Sequence, residues 1–304
     1  MQVIKTKDLF LAFVVVTVWG ANFTVIKLGL AGIPPMLFAS LRYVFAAFPA
    51  IFFVKRPAIS WKYIIASGLT VGFGQFSCLF YAMHIGMPAG ISSIVLQSQV
   101  FFTLLFGVFL LKESMHGRQL AGLLFAACGL LFIGAENFAG DTPSVPAAGL
   151  FLTVLAAAFW GISNIVARCA SKKAASEGKS LDMLSLVVWA SLIPPVPLLG
   201  MALLLDPPKA LWQAVTHLNA VSVFSIFYLS FGATLLGYGL WSTLLGKYPA
   251  GKIAPLSLLV PVTGLLTARI VLGESLSTMQ WIGGLIILLG LILANLQKSP
   301  KPLS

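Results

Sequence analysis

Carboxamide and hydroxyl side chains stand out in this sequence because they lie within long apolar stretches. Ser92, Gln99 and Thr103 are spaced at i, i+7 and i+11, which places them on one stripe of a helix. Asn22 and Asn164 lie in two other apolar stretches. One carboxamide can donate to a carboxylate and accept from an ammonium group, which suits recognition of a zwitterionic molecule. The alternative for each residue is a hydrogen bond that holds helices together.

Aromatic residues accompany these polar groups. Trp19 shares a helical face with Asn22, Trp160 shares one with Asn164, and each tryptophan precedes a glycine. Their depth within the apolar stretches favours positions that line a cavity, with tight Trp-Gly packing as the alternative. The further candidates for contact with a substrate are Gln75, Tyr81, Tyr238 and Trp241.

Charged side chains limit the possible chemistry. Arg42 is the one basic residue deep within an apolar run, where it could bind a substrate carboxylate or hold backbone carbonyls; its lack of a symmetric counterpart favours the structural role. Glu113 and Glu274 end two helices and are candidates for gating pairs or for solvated helix ends. All acidic residues lie in connections or at the ends of apolar runs, which disfavours a proton-coupled exporter of cationic drugs. They are Asp8, Glu113, Glu136, Asp141, Glu177, Asp182, Asp206 and Glu274.

Several classes of function are excluded by what the sequence lacks. Cys78, Cys128 and Cys169 are scattered, and neither a metal-binding spacing nor a Ser-His-Asp set occurs near the middle of the apolar runs. The full Gly-x-x-x-x-Gly-Lys-Ser/Thr motif of a phosphate-binding loop does not occur, so ATP is not expected to drive this chain. We therefore predict no cofactor, no metal ion and no enzymatic activity.

The segments that carry these residues read as membrane helices. Of the 304 residues, 59% are hydrophobic and only 9% are charged, which is too little polar surface to cover a soluble core. A helix needs about 20 apolar residues to cross a bilayer, and continuous runs of that length favour helices over a β-barrel. Ten runs are predicted, at residues 9–29, 33–54, 61–84, 88–111, 118–135, 146–170, 180–205, 218–246, 249–272 and 276–296.

The net charge of +11 is explained by the membrane topology of the chain and does not indicate a nucleic-acid partner. Fifteen of the nineteen Lys and Arg residues fall on one side of the predicted bundle, and Lys209 alone falls in the opposite connections. By the positive-inside rule, both chain termini face the cytoplasm. The expected partners are the lipid bilayer and a small-molecule substrate, with no nucleic acid, and a monomer is favoured.

A repeated segment organises the chain. The stretch from Pro88 to Ser114 recurs as Pro249 to Ser275, 161 positions later and without a gap. Eight of the 27 residues are identical, including the opening Pro-Ala-Gly and the closing Glu-Ser. Because each copy of the repeating unit has five helices, the second copy must be inverted relative to the first.

These observations predict an all-α integral membrane protein with ten transmembrane helices in two inverted five-helix repeats. The repeats are predicted at residues 1–140 and 141–304. Inverted repeats of this kind place a binding site between the halves and alternate its access between the two sides of the membrane. The cavity is expected between helices 1, 3 and 4 of the first repeat and helices 6, 8 and 9 of the second.

Short motifs across the whole chain resemble the EamA family of the drug/metabolite transporter superfamily. They are Val-Trp-Gly-Ala-Asn-Phe at 18–23, the Pro-Pro and Arg spaced over 34–42, Pro-Ala-Gly at 88–90 and Leu-x-Glu-Ser at 111–114. Four further stretches are most similar to bacterial exporters of O-acetylserine and cysteine, at 48–57, 87–99, 191–197 and 254–262. The resemblance implies export of small amino acids and their metabolites across the bacterial inner membrane. The alternatives are transport of other metabolites, such as phosphorylated or aromatic compounds, and a membrane scaffold or sensor that transports nothing.

Overall fold

The computed structural model describes residues 4–135 and 145–295, and within them the chain is helical. Among these described residues, nine helices are long and apolar enough to cross a membrane. They are α1 (Thr6–Leu30), α2 (Pro35–Phe52), α3 (Trp61–His84), α4 (Ala89–Leu111), α5 (Gly117–Ala135), α6 (Ala147–Ser176), α7 (Met183–Leu205), α8 (Ala220–Lys247) and α9 (Pro255–Leu272). A tenth apolar helix, α10 (Thr278–Asn295), follows, and a short helix, Pro208–Thr216, joins α7 to α8.

The prediction of an all-helical membrane protein built from two five-helix units is confirmed. The tenth span is the weakest of the set, because the apolar part of α10 covers only Thr278–Ala294. Glu136, Asp141, the predicted boundary between residues 140 and 141, and the carboxyl terminus lie outside the described residues.

The two halves interrupt their helices at equivalent places. A π-helical segment, Gly68–Gln75, lies in α3, and a second one, Tyr228–Leu236, lies in α8, about 161 residues later. A 3-10 turn also interrupts α4 at Leu96–Ser98, and a longer 3-10 segment, Ala254–Leu259, forms the beginning of α9. Prolines break α7, whose two parts are Met183–Ala190 and Pro195–Leu205, because proline removes a backbone donor from the helical ladder.

The first helix of each repeat packs on the fourth helix of the other repeat. On α1 and α9, Thr24 Oγ1 donates to Thr267 Oγ1 at 3.0 Å, and Thr263 Oγ1 donates to the carbonyl of Val16 at 3.0 Å. On α6 and α4, the Asn164 carboxamide donates to the side chain of Gln99 at 2.7 Å. This exchange of first helices ties the two repeats together along their whole length.

Glycines bring α5 and α10 into backbone contact. A Cβ placed on Gly129 would lie 2.5 Å from the carbonyl oxygen of Gly283, and one placed on Gly122 would lie 2.6 Å from that of Gly290. The 161-residue offset relates Gly122 to Gly283 and Gly129 to Gly290, so the same contact is made twice. Without a hydrophobic force between helices in lipid, such close packing of small residues stabilises the pair.

The repeated helices α4 and α9 end in the same backbone turn. Lys112 has φ 54° and Gly273 has φ 69°, so both adopt the left-handed conformation that commonly ends a helix. The next residue then donates its amide back into the helix, Glu113 to Gly107 at 3.2 Å and Glu274 to Ala268 at 3.3 Å. The turn holds Glu113 and Glu274 at equivalent places on opposite ends of the bundle.

We expect Gly129→Ala to lower the stability of the purified protein by about 1 to 3 kcal/mol, since overpacking against a backbone atom forces the helices apart. Thermal or SDS-induced unfolding in detergent measures the change. Gly117→Ala, in the same helix, is the matched control, because a Cβ there meets nothing within 4 Å. Equal stability of the two variants would contradict the proposed close contact of α5 and α10.

Candidate functional site

A cavity of about 50 Å³ lies where α2 and α3 of the first repeat meet α7 and α8 of the second. Its polar lining comes from Arg42, Tyr43, Ser67, Ser191, Thr234 and Tyr238. The cavity shares α3 and α8 with the expected one, but α2 and α7 line it in place of α1, α4, α6 and α9. The reason is that α1 packs on α9 and α6 packs on α4, so these helices bury their facing surfaces against each other and do not line the cavity. Equivalent helices therefore face each other across the cavity.

Arg42 lies at this cavity with 4% of its surface exposed. Its Nη2 donates to Thr234 Oγ1 at 3.0 Å, and its guanidinium carbon lies 4.1 Å from the centre of the Phe76 ring and 5.1 Å from that of Tyr43. The Nε and Nη1 atoms are buried without a hydrogen-bond partner. The sequence favoured a structural role in which Arg42 holds backbone carbonyls, whereas the hydrogen bond that its guanidinium makes in the described chain goes to the side chain of Thr234.

Trp19, Tyr238 and Trp241 form an aromatic cluster between α1 and α8. The Trp19 ring centre lies 5.4 Å from that of Tyr238 and 5.3 Å from that of Trp241. The Trp19 indole donates to the carbonyl of Ala233 at 2.9 Å and lies over Gly237, where a Cβ would be 2.5 Å from Nε1. Of these three residues, Tyr238 lines the cavity, and the two tryptophans pack behind it.

Gln99, Thr103 and Asn164 meet between α4 and α6. Asn164 Nδ2 donates to Gln99 Oε1 at 2.7 Å and to Thr103 Oγ1 at 3.0 Å, and Thr103 Oγ1 donates to the carbonyl of Gln99 at 2.7 Å. Gln99 and Asn164 are half-buried. The sequence left open whether these carboxamides bind substrate or join helices, and in the described structure they bind each other.

The four other predicted contact residues do not join one cluster. Asn22 is 9% exposed and makes no hydrogen bond within the described chain. Gln75, the last residue of the α3 π segment, is 2% exposed, and its Oε1 has no partner. Tyr81 lies near the end of α3, with its ring centre 6.1 Å from that of His84, and Trp160 is half-buried in α6. Asn22 and Gln75 therefore keep hydrogen-bonding capacity that the fold does not use.

Glu113 and Glu274 have different partners despite their equivalent positions. Glu274 accepts from the amides of Ala89 at 2.8 Å and Gly90 at 2.9 Å, at the first turn of α4. Helix N-termini favour a carboxylate because their amides have no partner within the helix.

Glu113 instead faces basic residues of α6. Arg168 Nη1 donates to its Oε2 at 2.8 Å, and Lys172 Nζ lies 3.9 Å from its Oε1. Lys27, which matches Arg168 at the offset of 141, donates to the carbonyls of Met83 at 2.8 Å and Met87 at 3.4 Å. The two ends of the bundle thus carry the same groups in two different arrangements.

Sequence reasoning missed Ser67, Ser191, Thr234, Tyr43 and Phe76 as cavity residues. A signal for them exists in the glycines at 68, 72 and 74 and in the prolines at 194 and 195, which mark interrupted helices. Helix interruptions in membrane proteins are tolerated where the backbone lines a cavity, and π segments occur frequently at functional sites. Hydropathy does not register either feature.

Comparison with known proteins supports this arrangement of two similar halves. A family model described as "EamA-like transporter family" matches residues 6–135 and again residues 147–296. The chain belongs to this EamA-like family. As a member, it is a multi-pass membrane protein that transports a small molecule.

Relatives of the family share most of the chain. Two proteins named "Probable amino-acid metabolite efflux pump", from Escherichia coli (strain K12) and Salmonella typhimurium, are 44% and 45% identical over 94% of this chain and 93% of their own. "Uncharacterized transporter YoaV" from Bacillus subtilis is 28% identical over 92% of this chain and 93% of its own. A crystal structure aligns with a TM-score of 0.62 at 17% identity, covering 96% of this chain and 97% of that one, and so shares the fold.

We expect a double-mutant cycle of Gln99→Leu and Asn164→Leu to give a coupling energy of about 0.6 to 1.7 kcal/mol, between the average and the maximum measured for hydrogen bonds between membrane helices. The measurement is the unfolding free energy of the two single variants and the double variant in detergent. Asn22→Leu combined with Gln99→Leu is the control and should show additive effects, because no hydrogen bond joins this pair. A coupling near zero for Gln99 and Asn164 would contradict their bond.

Proposed function

We propose that the protein exports small amino-acid metabolites of the O-acetylserine and cysteine type across the bacterial inner membrane by alternating access. The observation that carries the proposal is the 44–45% identity, over 94% of the chain, to proteins named as probable amino-acid metabolite efflux pumps. The geometry supports it, because a cavity with hydroxyl, aromatic and guanidinium groups lies between the two repeats. In this proposal both termini face the cytoplasm.

Cells that overproduce the protein are expected to release several times more O-acetylserine or cysteine than control cells and to tolerate higher concentrations of them. Asn22→Ala should weaken this release without lowering the amount of protein, since the Asn22 carboxamide makes no hydrogen bond that the fold would lose. Gln213→Ala, on the exposed helix Pro208–Thr216, is the matched control and should behave as wild type.

The substrate assignment depends on the wild type. If it moves no amino-acid metabolite in cells or in liposomes, the assignment is wrong. Preferred exchange of phosphorylated compounds would favour the other transport alternative, and counterflow of no solute at all would favour a scaffold or sensor.

Glu113 and Glu274 supply the gates in this proposal. In the described state, Glu274 joins α9 to the first turn of α4 at the predicted outer end, which closes that side. At the predicted cytoplasmic end, Glu113 is held by Arg168 of α6.

The pseudo-symmetry defines the opposite state. In it, Glu113 accepts from the amides of Ala250 and Gly251, which match Ala89 and Gly90, while Glu274 pairs with Lys27, which matches Arg168. Each glutamate thus exchanges a helix N-terminus for a cation as the transporter changes its open side. A helix cap contributes about 0.5 to 2 kcal/mol. Loss of one such contact therefore changes the population ratio of the two states by a factor of about 2 to 30.

Arg168→Gln and Glu274→Gln are both expected to favour the outward-open state. The first releases Glu113 from α6, and the second weakens the outer closure. A Ser191→Cys reporter at the cavity, in a background without Cys78, Cys128 and Cys169, should then react severalfold faster with a membrane-impermeant thiol reagent added from outside.

Glu177→Gln is the matched control for these charge changes. Hydrogen bonds from Lys179 and Lys173 lower the pKa of Glu177, but the residue is exposed beyond the end of α6 and touches neither gate. Its reaction rate should equal that of the reporter alone. Unchanged labelling in both Arg168→Gln and Glu274→Gln would rule out the exchange of partners.

A further inference from the structure

The positive charge of Arg42 is not balanced within the described chain. The nearest groups are aromatic rings and hydroxyls, and the described acidic residues that form ion pairs or hydrogen bonds have partners elsewhere. Asp8 pairs with Lys247, Glu113 with Arg168, Glu177 with Lys173 and Lys179, Asp182 with Ser185, and Glu274 with the first turn of α4. A buried arginine is normally paired with a carboxylate or phosphate. Its isolation here, inside a membrane bundle, is the strongest unexplained feature of the cavity.

The surroundings fix the guanidinium without satisfying it. Thr234 accepts from Nη2, and the Phe76 ring covers the planar face at 4.1 Å. Thr234 Oγ1 in turn donates to the carbonyl of Leu229 at 2.8 Å, so its hydroxyl hydrogen is already used. These contacts hold one end of the guanidinium in place and leave Nε and Nη1 as buried donors with no acceptor.

The cavity beside these donors has the size of a head group. Its volume of about 50 Å³ corresponds to about three to five water molecules at 10 to 15 Å³ each. Ser67 and Ser191 face it from α3 and α7, on either side of the interface between the repeats. A carboxylate fits this space, because it is planar, offers two acceptor oxygens and matches the charge of one guanidinium.

We propose that Arg42 binds the carboxylate of the transported molecule, so that the substrates are small monocarboxylates, including amino acids with a free carboxyl group. The inference deepens the proposed function and rests on it. A doubly charged phosphate is disfavoured, because it would leave a net negative charge in the cavity. Amines without a carboxylate are disfavoured too, because they would add a second positive charge beside Arg42.

Binding to the full-length protein in lipid nanodiscs tests the site directly. L-cysteine and cysteamine differ only in the carboxylate, and inorganic phosphate supplies the dianion. We expect L-cysteine to bind the wild type at least about thirtyfold more tightly than cysteamine or phosphate does, as for other buried charge pairs. Arg42→Gln should remove that preference, and Arg42→Lys should retain part of it. Tighter binding of phosphate or cysteamine than of L-cysteine would overturn the proposal.

Thermal stability separates a binding role from a structural one. Arg42→Gln removes an unbalanced buried charge, so its melting temperature without ligand should equal or exceed that of the wild type. L-cysteine should then raise the melting temperature of the wild type and leave that of Arg42→Gln unchanged. Arg118→Gln, at an exposed position outside the cavity, should respond to L-cysteine as wild type does. A lower melting temperature of ligand-free Arg42→Gln would assign Arg42 to the fold instead.

The two proposals can fail separately. If wild-type liposomes transport no amino-acid metabolite, the proposed function is wrong, and acetate then serves as the probe of the site alone. Acetate that stabilises the wild type but not Arg42→Gln supports a carboxylate site in either case. Acetate that stabilises both proteins equally, or neither, overturns it.

Discussion

A positive charge in the hydrocarbon layer needs a counter-charge or a polar cage, and Arg42 has only part of one. Thr234 gives it one acceptor, and Phe76 gives it a ring face. The π segment of α8 makes this possible, since Thr234 bonds the carbonyl five residues back while it accepts from the guanidinium. The matching π segment of α3 forms the opposite wall of the cavity. The centre of the bundle is therefore organised around a charge that it does not neutralise.

The backbone of this protein is more symmetric than its side chains. The same π segments, left-handed helix ends and glycine contacts occur in both repeats. Trp189, in contrast, occupies the position equivalent to Arg42, and its indole donates to the carbonyl of Val54. Gln99 and Thr103 are likewise matched by Val260 and Gly264. A symmetric backbone allows two states of similar energy that are related by the pseudo-two-fold axis between the repeats. Asymmetric side chains give the cavity one orientation, which a substrate with a distinct head and tail requires.

Hydropathy and the internal repeat were sufficient to predict the helices, their inversion and the equivalence of Glu113 and Glu274, because these depend on spacing along the chain. The position of the cavity was not predictable in the same way. It depends on which helices cross, and the packing of α6 on α4 turns Gln99 and Asn164 towards each other. The π segments also escaped prediction, since an extra residue in a helical turn leaves the apolar pattern almost unchanged. The sequence favoured a structural role for Arg42, because no arginine occupies the equivalent position of the second repeat. The buried Nε and Nη1 atoms without a hydrogen-bond partner favour the proposed binding role instead.

In the proposed exchange of gating partners, each glutamate is bonded in both states, which allows the two states to have similar free energies. A glutamate that leaves a helix N-terminus for a cation exchanges one charge-assisted interaction for another, so neither state gains a large advantage. Two states that differ by only a few kcal/mol can be reordered by a ligand that binds one of them better. Arg42 lies on α2 and contacts α8, so a carboxylate bound there touches both repeats at their interface. In the proposed mechanism, the free energy of carboxylate binding therefore favours one relative position of the two repeats. The contacts of Glu113 and Glu274 control the same movement.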